Sequence, residues 1–236
     1  NRKIGLGVMG FAEMLIRLGI SYDSDAAVDL ADRLMGFIAA AADEASAALA
    51  EERGVFPNWG ASVHAARGRK LRNATRTAIA PTGTISIIAG TSAGIEPLFA
   101  LAFRRTHVLE EETLQEIDPL FVKALAARGL DVEAIVAEVL KGGSLRAVPG
   151  LPEDLRRLFV TALEIAPDRH LQIQDAFQRH VDNSVSKTVN LPEDAEPADI
   201  ARIYRRAWEL GLKGVTVFRY GSKGVQVLQV GPPAQD

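Results

Sequence analysis

The chain has 236 residues, of which 47% are hydrophobic and 24% are charged, and its formal net charge is −3. This length is ample for one large domain or two small ones, and the composition excludes an intrinsically disordered chain. No apolar run approaches the roughly 20 residues that a membrane-spanning helix needs, and the weakly acidic charge gives no overall attraction for nucleic acid.

The first half of the chain is predicted to be mainly helical. Apolar residues recur from Arg2 to Leu18, and Gly19 is a suitable helix end. A long second helix is expected after the N-cap candidates at residues 23–25. Its apolar stripe, at steps of three and four residues, runs from Ala27 to Leu49, and Gly54 ends it.

The middle of the chain predicts two strands with a Thr- and Gly-containing loop between them. Thr75–Ala80 alternates as a strand does and stops at Pro81, and Thr84–Ala89 is typical of the first turns of a buried helix. Leu98–Phe103 is the second strand candidate. Three amphipathic helices are expected after it, near residues 109–127, 131–140 and 152–164.

The last third of the chain predicts helices that alternate with strands. Helices are expected from Pro167 to about Val181 and from Pro197 to Leu210, and strands at Val185–Asn190 and Gly214–Tyr220. This alternation is typical of α/β architecture with parallel strands. The Gly-Pro-Pro at residues 231–233 predicts a linker.

The segment Gly5-Leu6-Gly7-Val8-Met9-Gly10 matches the G-x-G-x-x-G pattern of dinucleotide-binding proteins. That pattern works where a buried strand precedes it and a helix follows, so that the pyrophosphate lies on the helix N-terminus. Only four residues precede it here, and they are mostly polar and basic. We therefore interpret the glycines of this segment as small residues that let a helix pack closely. A Rossmann-type, dinucleotide-dependent oxidoreductase using Gly5–Gly10 is the alternative.

The segment Pro81-Thr82-Gly83-Thr84-Ile85-Ser86 is a stronger candidate site. It follows a predicted strand and opens a helix, so that free N–H groups and the helix dipole are available to an anion. Gly83 permits close approach of the backbone, and three hydroxyl groups are possible donors. The segment has no lysine, which excludes a Walker P-loop. On spacing alone, an ordinary threonine-capped helix start explains it equally well.

Two charged residues and a histidine are further candidates. Lys187 lies inside a predicted strand, where a lysine is usually a solvated edge residue; an inward side chain would need an anionic partner. Glu96 ends a predicted strand, the position at which α/β folds place ligand groups. We interpret His170 as a structural hydrogen-bonding residue rather than a base. His64, His107 and His180 show no metal-ligand spacing with one another, and no metal site is expected.

The chain contains no cysteine, which excludes a disulfide framework, a thiolate metal site and a cysteine nucleophile within these 236 residues. The lack of cysteine also favours a cytoplasmic location. The first residues, Asn1-Arg2-Lys3, include neither an initiator methionine nor a signal-peptide pattern. They predict that the sequence is a piece of a longer protein.

Five segments, in this order, resemble the catalytic barrel of the ribonucleotide reductase family. They are residues 4–12, 80–86, 94–97, 170–190 and 211–222. The Pro-Thr-Gly-Thr-Ile-Ser form is similar to the adenosylcobalamin-dependent class II enzymes rather than to the di-iron class I large subunit. The resemblance implies that residues 1–228 are the C-terminal part of the barrel, followed by a linker or tail at 229–236.

The resemblance also implies a fold and a site. The family fold is a ten-stranded α/β barrel of two parallel five-stranded halves with the helices outside, and this chain would supply most of the second half. The implied substrate-phosphate-binding residues are Pro81, Thr82, Gly83, Thr84, Ile85 and Ser86. Glu96 and Lys187 are candidates to line the active site.

The reaction that the resemblance implies is reduction of a ribonucleoside di- or triphosphate through a thiyl radical, generated with adenosylcobalamin. No Asn-x-Cys-x-Glu motif and no reducing cysteine pair occur in this sequence. The chain alone is therefore expected to be inactive and not to bind the cofactor by itself. Its expected partner is a cysteine-bearing N-terminal half, in the same or a separate chain, within a homo-oligomer that binds neither nucleic acid nor membrane. A non-catalytic relative that binds nucleotides or a protein partner is the other alternative.

Overall fold

The computed structural model describes residues 1–108, 112–142, 144–222 and 228–229. No helix within these ranges is both long and apolar enough to cross a membrane. The helices are α1 (Phe11–Arg17), α2 (Asp25–Arg53), α3 (Val63–Ala66), α4 (Gly83–Ala89), α5 (Pro119–Ala126), α6 (Val132–Gly142), α7 (Glu153–Leu158), α8 (Pro167–Gln178) and α9 (Pro197–Glu209). The strands are β1 (Ala102–Val108), β2 (Glu112–Ile117), β3 (Thr188–Leu191), β4 (Thr216–Arg219) and β5 (Leu228–Gln229).

Four parallel segments lie side by side at the centre of the fold. β3 pairs with β4, with Thr188 opposite Thr216. Just before β3, Val185 forms a parallel bridge with Ile79. Two residues earlier in the Ile79 segment, Thr77 forms a parallel bridge with Leu6. The order across the sheet is therefore residues 4–7, 75–79, 185–191 and 216–219, which confirms α/β architecture with parallel strands.

Residues 4–10 are not helical, which corrects the prediction of a helix from Arg2. The N–H of Leu6 donates to the carbonyl of Arg76 at 2.7 Å, and the N–H of Ala78 donates to the carbonyl of Leu6 at 3.0 Å. A Cβ on Gly7 would lie 2.0 Å from the Ala78 carbonyl oxygen. The small residues thus permit close approach of two extended segments, not close packing of a helix.

The same geometry argues against a dinucleotide site at Gly5–Gly10. The glycines of the motif lie within the extended segment, and α1 begins only at Phe11. The N–H of Gly10 donates to Ser92 O at 2.8 Å and that of Phe11 to Gly94 O at 3.3 Å. Because these carbonyls accept the N–H groups of Gly10 and Phe11, those two groups at the start of α1 are not available to a pyrophosphate.

The prediction of a helix over 109–127 is wrong in its first half. Residues 112–117 form β2, which pairs antiparallel with β1, and β5 pairs with the other edge of β1. Pairing with a neighbouring strand outweighs local helical pattern here. The helix starts at Pro119, where Asp118 Oδ1 accepts the N–H groups of Leu120 and Phe121 at 2.8 and 2.9 Å.

Two further boundaries differ from the sequence prediction. The strand expected at Leu98–Phe103 begins only at Ala102. The helix expected over 152–164 ends at Leu158, because Glu164 Oε2 accepts the N–H and the hydroxyl of Thr161 and holds the chain in a turn. Gln229, expected in a tail, pairs with Arg104 in the β1–β5 ladder, and residues 230–236, with the predicted linker, lie outside the described residues.

Helix α8 lies at the centre of the packing. Eight of its twelve residues are buried, and the Phe177 ring contacts the Phe11 ring edge-to-face at a centroid distance of 5.1 Å. On one side α8 packs against α2, and on the other Leu171 packs with Val189 and Ile203. Helix α8 thereby supports β3 from behind, and β3 carries part of the site described next.

Candidate functional site

The segment Pro81–Ser86 forms a turn and the start of α4. Thr82 adopts a left-handed conformation (φ 53°), and its Oγ1 accepts the N–H of Gly94 at 2.7 Å. Ser86 is buried, and its hydroxyl donates to the Gly83 carbonyl at 3.0 Å. The hydroxyl groups of Thr82, as acceptor, and Ser86, as donor, therefore hold the turn, and Thr84 is an exposed residue.

The first turn of α4 is open to solvent. Pro81, Gly83, Thr84 and Ile85 are all exposed. The N–H groups of residues 83–85 donate to no carbonyl within the described ranges, as expected for the first turn of a helix. The helix expected to be buried at Thr84–Ala89 is formed, but Ile85, Ile87 and Ile88 are more than half exposed. The prediction of a buried helix is corrected accordingly.

Lys187 points inward and has an anionic partner. Its side chain is fully buried, and its Nζ donates to Glu96 Oε2 at 2.7 Å and to the carbonyl of Thr188 at 2.5 Å. The other carboxylate oxygen of Glu96 accepts the N–H of Thr188 at 2.7 Å. The structure thus brings together two residues that are 91 positions apart, and two separate hydrogen bonds fix the orientation of the Glu96 carboxylate.

His170 completes this cluster from the first turns of α8. Its Nε2 lies 3.1 Å from the carbonyl oxygen of Ala162, and its Nδ1 lies 2.9 Å from Lys187 Nζ. Because a carbonyl only accepts, Nε2 carries the proton and Nδ1 accepts from the ammonium group. Burial, reinforced by the positive charge of Lys187, lowers the pKa of His170 to about 3. His170 is therefore a neutral structural residue, as its position in the sequence suggested.

The lowered pKa of His170 predicts a pH dependence of stability. Between about pH 6.5 and 3 the unfolded state binds a proton at this residue that the folded state does not, so the free energy of unfolding falls as the pH falls through this window. The loss from this group is at most about 1.4 kcal/mol per pH unit. Urea unfolding at pH 6.5 and pH 4.5 is expected to show a smaller decrease for His170→Asn than for the parent protein. Equal decreases in the two proteins would contradict this origin.

Tyr22 supports the segment that carries Glu96. Its hydroxyl donates to the carbonyl of Ile95 at 2.7 Å. Burial, together with the negative charge of Glu96, raises the pKa of Tyr22 well above its ordinary value. Sequence reasoning did not identify this residue, since a single tyrosine before a helix gives no signal of a contact 73 positions away.

A cleft of about 810 Å³ opens beside the Glu96–Lys187 pair. Its polar lining includes Glu13, Glu96, Asp118, Thr188, Asn190 and Thr216. Its apolar walls include Leu98, Phe99, Val217 and Phe218. Of the predicted phosphate-binding segment only Ser86 reaches it, so the cleft and the exposed start of α4 are neighbouring but separate features.

Other predicted features are placed as follows. Lys187 itself does not line the cleft; it lies behind Glu96, which does. Asn190, which sequence reasoning did not single out, lines the cleft beside Thr188, and the two-residue spacing of a strand is the signal that could have placed both on one face. Within the described ranges no group of three His, Asp or Glu residues could hold a metal ion.

Comparison with known proteins identifies similar chains. The family model described as "Ribonucleotide reductase, barrel domain" matches residues 1–71 and 65–218. A vitamin B12-dependent ribonucleoside-diphosphate reductase of Mycobacterium tuberculosis H37Rv is 53% identical over 99% of this chain and 33% of its own length. One of the same description from Thermoplasma acidophilum is 52% identical over 98% of this chain and 30% of its length.

A solved structure is similar as well. The α subunit of the class Id ribonucleotide reductase of Actinobacillus ureae superposes with a TM-score of 0.78 at 25% sequence identity, over 94% of this chain and 39% of that one. The chain thus spans about a third of the length of the curated relatives it matches.

Proposed function

The chain belongs to the ribonucleotide reductase barrel domain family, and from this membership we propose that it is the C-terminal part of the catalytic barrel of a cytoplasmic, vitamin B12-dependent ribonucleoside-diphosphate reductase. The observation that carries the proposal is the 53% identity to such a reductase over 99% of this chain. Residues 1–228 would form the barrel part, and 229–236 would lead out of it.

The four parallel segments support a barrel. They lie in the order 4–7, 75–79, 185–191 and 216–219, and within the described ranges the outer edges of the first and last have no strand partner. We propose that these two edges pair with the remaining strands of a ten-stranded barrel whose helices lie outside. Unpaired strand edges are otherwise a liability for a folded protein.

The start of α4 is proposed to bind the substrate phosphates. Residues 83–85 are exposed and their N–H groups donate to no carbonyl within the described ranges, a Cβ on Gly83 would meet nothing within 4 Å, and the positive end of the α4 dipole lies at the same place. Pro81 and Thr82 shape the turn, and the hydroxyl of Ser86 stabilises it by donating to the carbonyl of Gly83. The bound phosphates would be neutralised by backbone dipoles, without a lysine in the loop.

The radical-forming groups are proposed to lie on another segment of the complete enzyme. The thiyl-radical mechanism needs cysteine side chains, and this chain has none. The chain alone is therefore proposed to be inactive, to act with a cysteine-bearing N-terminal half, and to take part in a homo-oligomer of the complete enzyme.

Cobalamin, in its adenosyl form, is proposed as cofactor of the complete enzyme, where it would supply radical initiation. The described residues do not by themselves fit a corrin. The cleft has the volume of a site for a drug-sized ligand, its polar lining is mainly acidic and hydroxylic, and no histidine is among its lining residues. We therefore place the corrin on residues outside this chain.

Thr84→Val and Gly83→Val test the phosphate assignment. In the complete reductase that contains this chain, each is expected to weaken binding of a ribonucleoside diphosphate by about 1–3 kcal/mol per hydrogen bond lost or blocked. Neither should change the free energy of unfolding much, since Thr84 is exposed and a Cβ on Gly83 meets nothing within 4 Å. Substrate titration and urea unfolding measure the two effects.

Thr82→Val tests separately whether Thr82 holds the turn. It removes the hydroxyl that accepts the Gly94 N–H, so it is expected to lower the free energy of unfolding by about 1 kcal/mol. Unchanged substrate affinity in both Thr84→Val and Gly83→Val would refute the phosphate assignment. A parent enzyme that shows no cobalamin-dependent reduction of ribonucleoside diphosphates would refute the proposed function itself.

A further inference from the structure

Helix α9 has an inner and an outer face of different character. On the inner face, Ile203 and Ala207 are buried in the apolar cluster behind β3. The outer face carries two aromatic residues, Tyr204 (53% exposed) and Trp208 (79% exposed), which lie one helical turn apart. Tryptophan and tyrosine are enriched at protein interfaces and dominate their binding energy. The outer face of α9 is therefore a candidate contact surface.

The uncharged part of this outer face runs along the whole helix. Four exposed residues follow one another at steps of four, three and four positions, which places them on one face: Pro197, Ala201, Tyr204 and Trp208. We call this set the aromatic stripe. Because two of its members are small, a second helix can lie along the stripe without being held away at that end.

One flank of the aromatic stripe carries charges of both signs. Arg205 and Glu209 are exposed and lie one turn apart on this flank. Arg205 forms no ion pair with any residue in the described ranges, and Glu209 has a long contact of 3.4 Å with Arg206. Both charges are therefore available to a partner that offers the opposite signs at the same spacing.

A second copy of α9 that runs antiparallel offers these signs. In a helix pair related by a two-fold axis, each flank faces the same flank of the other helix with the sequence reversed. With Tyr204 opposite Trp208 of the second copy, the aromatic rings meet at the centre of the contact. The same alignment brings Arg205 close to Glu209 of the second copy. Each contact occurs twice, so the surface is complementary to itself in apolar character and in charge.

The size of the aromatic stripe indicates how strong such a contact would be. Aromatic side chains bury about 150–250 Å² each. The four aromatic side chains of two copies therefore provide less than the roughly 1,200 Å² at which specific, stable interfaces begin. An assembly through this surface is expected to be weak and to depend on protein concentration.

We propose that a second copy of this chain docks antiparallel on the aromatic stripe of α9, with two Tyr204–Trp208 contacts at the centre. Two Arg205–Glu209 ion pairs form on the flank. That the complete enzyme is a homo-oligomer rests on the proposed function, whereas the choice of α9 as a contact between copies rests on the surface of this helix.

Sedimentation equilibrium of the complete reductase that contains this chain tests the contact. The average mass of the parent is expected to rise with concentration, and Trp208→Ala is expected to weaken this self-association by about tenfold. The thermal midpoint at low concentration should not fall, since Trp208 is largely exposed. Phe37→Ala is the matched control: it removes a ring from α2 that is 73% exposed, and it should leave the self-association unchanged.

Charge reversal tests whether the partner is a second copy. Arg205→Glu alone and Glu209→Arg alone should each weaken self-association, because each places like charges opposite one another. The double variant should recover the parent value, since its two charges are exchanged. An equimolar mixture of the two single variants should recover it as well, because each variant then offers the other the opposite charges.

Three results would overturn the proposal. They are a parent enzyme whose average mass does not rise with concentration, a Trp208→Ala enzyme that associates as the parent does, and a mixture of the single variants that does not recover association. The third result would assign the aromatic stripe to a different partner. Any of these together with normal reductase activity would refute only the α9 contact. Loss of the proposed function would instead show as a parent enzyme without reductase activity.

Discussion

Replacing Glu96 by alanine is expected to lower the free energy of unfolding by about 3–5 kcal/mol at pH 7, the range for removal of one partner from a buried ion pair. The substitution leaves the Lys187 ammonium fully buried with only the Thr188 carbonyl and His170 Nδ1 as partners. Urea unfolding measures the change. Glu138→Ala is the control, because its pair with Lys141 has the same 2.7 Å distance but is exposed, and exposed pairs contribute about 0.2–1 kcal/mol.

The Glu96→Ala protein should also respond to pH in a defined direction. Burial lowers the pKa of Lys187, and Glu96 opposes that shift, so its removal lowers the pKa further. The unfolded state then binds a proton that the folded state does not, between the lowered pKa and about 10.4. The variant should therefore recover stability, relative to the parent, as the pH rises from 7 to 9. A constant difference over this range would contradict a charged, unpaired lysine as the cause.

Replacing Gly7 by alanine is expected to cost about 3 kcal/mol, the upper end of the usual range for overpacking. The new Cβ would lie 2.0 Å from the Ala78 carbonyl oxygen, which belongs to a paired backbone segment and cannot rotate away as a side chain would. Separation of the two segments would also weaken the hydrogen bonds that Leu6 makes with Arg76 and Ala78. The effect is measured by chemical unfolding.

Gly60→Ala is the control for Gly7→Ala. A Cβ at Gly60 meets nothing within 4 Å, and its φ is not in the left-handed region. Its free energy of unfolding should stay within about 0.5 kcal/mol of the parent value. A Gly7→Ala protein as stable as Gly60→Ala would mean that residues 4–7 do not pair with 75–79 as described.

Local sequence signals predicted the elements whose ends carry capping residues. Helices α8 and α9 each start at a proline, and their predicted and observed bounds differ by three residues or fewer. The Asp118-Pro119 start of α5 is the same kind of signal, but an apparent helical pattern extends through β2 and masks it. Residues 112–117 form a strand because they pair with β1. That pairing is not visible in the sequence of residues 112–117 alone.

The individual residues of the candidate site were easier to predict from the sequence than the contacts between them. Glu96 and Lys187 could each be selected as charged residues at unusual places, but their pairing joins segments 91 positions apart. The exposure of α4 likewise depends on what packs against it, since its isoleucines read as core residues in the sequence.

The Lys187 cluster has a consequence for the order in which the molecule assembles. Its partners come from the 94–97 loop, from α8 and from β3, three segments far apart in sequence. A state in which β3 has docked but the loop has not would bury an ammonium group without its carboxylate, at a high cost in free energy. Partly assembled states of this kind are therefore sparsely populated. We therefore expect the Glu96 loop, α8 and β3 to dock together rather than one after another.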